Sequence, residues 1–123
     1  NEFNFIEKDF VVIPVPLHPR RERERGFNQS EVLAKLFAQR FGLKVSKNLS
    51  RMVYTKQQAK LSGVARRNNL KDVFVFNDLG KSVPEKVLLI DDVYTTGATM
   101  EECAKALKSQ GVKVVWGLVM ARG

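Results

Sequence analysis

Four consecutive aliphatic residues, Val87, Leu88, Leu89 and Ile90, run directly into two carboxylates, Asp91 and Asp92, and then into a small-residue turn, in the stretch VLLIDDVYTTGAT at 87–99. A strand that is apolar at every position has no solvent face, so it belongs inside a parallel sheet covered on both sides. The expected class is therefore α/β. Asp91 and Asp92 then fall at the carboxyl end of that strand, the edge of an open α/β sheet where ligands bind in the crevice at which strand order reverses. Thr95, Thr96, Gly97, Ala98 and Thr99 follow at the start of a helix. Their small side chains let a ligand approach the backbone, and the amides of a helix start favour an anion. Carboxylates for hydroxyls or a metal, beside amides for phosphate, suit a sugar phosphate. The plainer readings are a receiver-type acidic pair and a simple helix cap.

Around this stretch the pattern alternates. Residues 10–15 read as a first buried strand whose exit is marked by Pro14 and Pro16. A basic loop follows, with Arg20, Arg21, Arg23 and Arg25 interleaved with Glu22 and Glu24. Asn28 with Glu31 three positions on is a capping pair, Val32, Leu33, Leu36 and Phe37 repeat at helical spacing, and Gly42 supplies the stop. Residues 43–53, 72–76, 86–90 and 112–120 read as four more strands. Met100, Cys103, Ala104 and Leu107 give 99–110 one apolar helical face. Residues 54–70 have few apolar anchors and are either an exposed loop or a marginal helix. The sum is a mainly parallel five-stranded sheet with flanking helices. Phe74, Phe76, Trp116 and Cys103 are expected in the core, whereas Phe27 and Tyr54 flank basic loops and can stack on a base.

Composition narrows the function classes. A chain of 123 residues supports one core, and no apolar stretch approaches the ~20 residues that span a membrane, so a single cytoplasmic domain is expected. One cysteine and one histidine make neither a disulfide nor a zinc site. The net charge of +8 is concentrated: residues 42–71 hold eight bases and no acid, while the other thirteen bases balance thirteen acids. That basic side attracts polyanions without choosing among them.

The stretch at 87–99 resembles the phosphoribosyl pyrophosphate (PRPP) loop of type I phosphoribosyltransferases: hydrophobic strand, two acids, a variable pair, then Thr, Gly, Ala, Thr. A second stretch, IPVPLHPRRERERGFNQSEVLA at 13–34, resembles the signature of the ComF group, phosphoribosyltransferase-like proteins associated with bacterial competence and DNA uptake. Arg51, Thr55, Gln57 or Gln58, Arg66 and Asn69 also fit its spacing.

The resemblance implies a type I phosphoribosyltransferase-like fold over 1–123, without the amino-terminal zinc module that the group's members often carry. It implies Asp91 and Asp92 as catalytic residues on the ribose hydroxyls, directly or through Mg²⁺, and Thr95, Thr96, Gly97, Ala98 and Thr99 around the 5′-phosphate. Residues 54–70 become a flap. Arg25, beside Gly26, and Lys60, Arg66 and Arg67 on the flap are the candidate pyrophosphate contacts, against a solvated charge run. His18 is expected to order its loop rather than to act in catalysis. Two functions compete: a glycosyltransferase using PRPP on an unidentified acceptor, and a non-catalytic module binding PRPP or a related sugar phosphate together with single-stranded DNA or competence proteins.

Overall fold

A computed structural model describes residues 9–17, 19–53, 72–77, 82–94 and 97–122. The elements run β1 (Val11–Pro14), α1 (Pro19–Arg25), α2 (Gln29–Phe41), β2 (Lys44–Val45), β3 (Leu49–Val53), β4 (Asp72–Phe76), β5 (Lys86–Tyr94), α3 (Ala98–Ser109) and β6 (Val114–Arg122). Four strands form a parallel sheet in the order β2-β1-β5-β6, and β3 pairs antiparallel with β4 in a separate two-stranded sheet.

The α/β class is as expected, but the sheet has four parallel strands, not five. The expected second strand is broken in two. After the Ser46 amide makes the last bond to β1, at Val12 O (2.9 Å), the chain turns: the Asn48 N–H donates to Ser46 Oγ (3.3 Å), and Asn48 O accepts from the Asn77 N–H (3.0 Å). Short polar side chains that bond the nearby backbone favour turns over strands. The second half of the segment therefore leaves the main sheet and pairs with 72–76.

The doubly apolar reading of β5 holds. Val87, Leu88, Leu89 and Ile90 are all buried, and they alternate between two clusters. Val87 and Leu89 pack with Ile13, Val15, Cys103 and Leu107 on the α3 face, together with Leu49 and Phe76 from the small sheet. Leu88 and Ile90 pack with Phe10, Val12, Ala34 and Ala38 on the α2 face. Successive strand residues point to opposite faces, so one four-residue block joins both halves of the core.

Two helix ends follow sequence logic. Asn28 caps α2, accepting the Ser30 amide at 3.0 Å. Glu31 turns instead to Lys35 (3.1 Å) and Lys47 (3.2 Å), which hold its carboxyl below the usual carboxylate value. Gly42 ends α2 at φ 68° and ψ 36°, a left-handed conformation that glycine adopts without a Cβ penalty.

Other expectations are corrected. The arginine-rich stretch is the short helix α1, not a loop: Pro19 stands at its first position, Glu22 lies in its first turn, and Arg23 and Arg25 lie in its last, where each charge suits the helix dipole. Trp116 is 47% exposed. It is in register with Leu88, hence on the α2 face, but β6 is the outermost strand, while α2 rests on β1 and β5. Cys103 is core as expected, its thiol pushed up to about 12 by burial first and by Asp91 next.

Candidate functional site at the crevice between two central strands

The sheet order places the site. From β1 the chain crosses to β2 on one side; from β5 it crosses to β6 on the other, so strand order reverses between β1 and β5. These two strands are paired directly, Ile13 with Leu89 and Pro14 with Ile90, and the Val15 N–H donates to Ile90 O at 2.8 Å. Beyond that point β1 leaves the sheet. β5 continues to Tyr94, paired only with β6, Asp91 with Val119 and Tyr94 with Arg122. The expected strand end at Ile90 is thus corrected: the carboxylates lie within the last part of the strand, on the first residues that β1 no longer accompanies.

Both carboxylates are half-buried. Asp91 Oδ1 accepts from Ser30 Oγ (3.1 Å) and from the Asp92 N–H (2.9 Å). Ser30 Oγ also lies 3.5 Å from Asp92 Oδ1 and accepts the Asp92 N–H at 3.2 Å. Burial first, and the Asp92 carboxyl next, hold the Asp91 carboxyl above the usual carboxylate value, while the Ser30 hydroxyl and the Asp92 amide pull the other way. A site that raises the cost of a negative charge leaves a place for a positive one.

A cavity of about 310 Å³ opens here. Asp91, Asp92, Ser30 and Asn28 line it together with Thr99, the loop residues Val15, Pro16 and Leu17, and two arginines, Arg25 and Arg51. Arg25 arrives from the last turn of α1. Arg51 arrives from β3, and its guanidinium lies over the ring of its cross-strand partner Phe74, 5.4 Å from the centroid, an arrangement that favours a cation. A second cavity of about 280 Å³ shares Pro16, Leu17, Asn28 and Arg51 and adds Pro14, Glu22, Glu31 and Lys47.

Of the expected site residues, Asp91, Asp92, Thr99 and Arg25 share one cavity. Gly97 is the N-cap of α3 at φ 79°, and Ala98 is the first helical residue. Gly97 has no side chain to cap the helix, so the first amides of α3 keep their capacity for a ligand or water. Thr95, Thr96, Lys60, Arg66, Arg67 and His18 lie outside the described residues. Sequence reading missed the roles of Ser30, Asn28 and Arg51 in the cavity. Arg51 carried a signal in its place within the ComF-like spacing; Ser30 carried none beyond its place after a cap.

No group of three His, Cys, Asp or Glu side chains suited to a metal occurs among the described residues. Mg²⁺ is usually held by one or two carboxylates and completes its shell with water and substrate oxygens. Two adjacent carboxylates with a desolvated charge fit an ion shared with a phosphorylated ligand.

Crevice, acid pair and open helix start together define a phosphoribosyltransferase-type domain. Residues 28–122 match the family described as phosphoribosyl transferase domain, and the chain belongs to that family, in its ComF group. It is 38% identical over 115 residues to Competence protein F of Haemophilus influenzae, an alignment covering 90% of this chain and 50% of that protein. It is 33% identical over 108 residues to Competence protein ComFC of Streptococcus pneumoniae, covering 88% and 46% respectively. The chain spans about half the length of these curated relatives. Its fold is similar to that of a hypoxanthine phosphoribosyltransferase from Staphylococcus aureus, with a TM-score of 0.54 over 98% of this chain and 65% of that one at 17% identity.

Proposed function

We propose that this domain binds PRPP with Mg²⁺ in the β1–β5 crevice and transfers the phosphoribosyl group, within a protein that serves DNA uptake. The observation that carries the reading is that two aspartates and two arginines line one cavity at the strand-order reversal. PRPP presents matching chemistry: a cis-diol, a 5′-phosphate and an anomeric diphosphate.

Asp91 and Asp92 accept from the ribose hydroxyls and hold the sugar. The amides around Gly97 and Ala98, with the Thr99 hydroxyl, take the 5′-phosphate. Arg25 and Arg51 face the diphosphate; Lys60, Arg66 and Arg67, outside the described residues, are the further candidate contacts by resemblance. As an acceptor nucleophile forms the new bond to C1 and the bond from C1 to the diphosphate oxygen breaks, positive character develops on the ring and negative charge on the departing diphosphate, so carboxylates near the ring and arginines near the diphosphate both act in the favourable sense. Mg²⁺, if held by Asp91 and Asp92, would supply neutralisation of the departing diphosphate.

Calorimetric titration with PRPP, with and without Mg²⁺, tests the site. Binding is expected in the Mg²⁺ arm, weakened at least about a hundredfold in a combined Asp91→Asn and Asp92→Asn variant, because each charged hydrogen bond affected is worth about 1.5–3 kcal/mol. Silence in both arms overturns the assignment.

A second reading is supported by the acid-free basic stretch at 42–71 and by the competence names of the relatives. In it the pocket holds PRPP or a related sugar phosphate without turnover, and the basic side engages single-stranded DNA or a competence protein.

A further inference from the structure

We propose that Ser30 is a positioning residue that sets the orientation of both carboxylates through its hydroxyl, an inference resting on the reading of Asp91 and Asp92 as the sugar-binding pair. Ser30 is 2% exposed, and its Oγ is the meeting point of three contacts from β5: it donates to Asp91 Oδ1 (3.1 Å), lies 3.5 Å from Asp92 Oδ1 and accepts the Asp92 N–H (3.2 Å). A hydroxyl has one proton, so the two carboxylates converge on a single donor. The shorter contact goes to Asp91, and the accepted amide fixes the direction of the Oγ lone pairs.

The hydroxyl is itself held. Ser30 donates its backbone N–H to Asn28 Oδ1 (3.0 Å), and Asn28 Nδ2 donates to Val15 O (3.2 Å), with Asn28 8% exposed. Val15 O belongs to the residue at which β1 leaves the sheet. The amino end of α2 is therefore bonded to the exit of β1 through Asn28 and to the acidic end of β5 through Ser30. This fixes the spacing between the loop wall of the cavity and its acidic floor. A small apolar residue at position 30 would keep the helix but would not supply the oxygen that aligns the acids. A binding group pre-aligned by a buried partner loses less freedom when the ligand arrives.

The test is Ser30→Ala, which removes the oxygen and keeps the Cβ. Thermal melting first checks the fold. In ligand-free protein, the carboxyl-carbon NMR resonances of Asp91 and Asp92 are expected to move in this variant. With Mg²⁺ fixed, PRPP affinity is expected to fall about tenfold, the scale of one hydrogen bond to a charged group, while affinity for inorganic phosphate without Mg²⁺, which has no ribose and is taken by the α3 amides, stays unchanged. Adding Ser30→Ala to Asp91→Asn is expected to cost little more than Asp91→Asn alone, because both remove the same arrangement. Unmoved carboxyl resonances overturn the inference, as does an equal loss for PRPP and metal-free inorganic phosphate or full additivity with Asp91→Asn. If the unmodified protein binds no PRPP, the functional reading fails, and the resonances alone still decide whether Ser30 orients the acids.

Discussion

Among the described residues, Asp91 is a carboxylate whose surroundings oppose its charge. Its carboxyl is held above 3.8 by burial and by Asp92, so the folded state binds a proton more tightly there than the unfolded chain does. Stability contributed by this group is therefore fully present below the unfolded value and is lost as pH rises through the folded one. In metal-free buffer, Asp91→Asn is expected to melt higher than the unmodified protein at pH 7, with the difference shrinking as pH falls toward 3.8. A melting difference that grows on acidification refutes this. The gain in stability and the loss of PRPP binding then run in opposite directions, the pattern of a group kept for function. At this scale the acids were legible because their types and adjacency carry chemistry on their own. Ser30 was not: a serine in a helical first turn is ordinary, and its partners lie 61 and 62 positions along the chain.

Elements were legible where one physical cause dominates. The block at 87–90 needs two covered faces, and β5 received them from α2 and α3; the apolar face of 99–110 became that of α3, with Cys103 and Leu107 fully buried. Failures arose where weak local preferences competed. Residues 43–53 have strand character throughout, and only the small polar turn at Ser46 and Asn48 decides that they serve two sheets. The arginine-rich segment was read by charge, whereas Pro19 and the helix-compatible Arg and Glu run decide its backbone. At the start of α3, Gly97 holds a positive φ that a Cβ disfavours by about 1–2 kcal/mol. Gly97→Ala is expected to lower the melting temperature by about 4 °C for each kcal/mol lost and to weaken inorganic phosphate and PRPP alike. Unchanged melting and unchanged phosphate affinity would show that this turn tolerates an L side chain and lies away from the anion.

For the whole molecule, charge and topology act separately. Topology gathers the crevice, whereas the charge excess lies in one stretch of sequence, most of it outside the described residues. Among the described residues no helix is long and apolar enough to cross a membrane, which leaves β-barrel insertion untouched. If the basic side engages single-stranded DNA, affinity is expected to fall steeply with salt. Neutralising Lys56, Lys60, Arg66 and Arg67 is then expected to reduce the slope of log affinity against log salt by about 3, since each phosphate contact contributes about 0.7. A flat salt response in fluorescence anisotropy removes DNA from the reading and leaves the pocket unaffected.

Pro14 bears on the same large-scale arrangement. Val15 turns its N–H toward β5, so position 14 faces the flank that β2 has already left after Val45, and there an imino acid has no hydrogen to offer. A strand extended along β1 past Val12 would find no N–H to bond at Pro14. The cavity beside it, walled by Pro14, Lys47 and Arg51, is therefore flanked by an edge of β1 from which one backbone donor is missing.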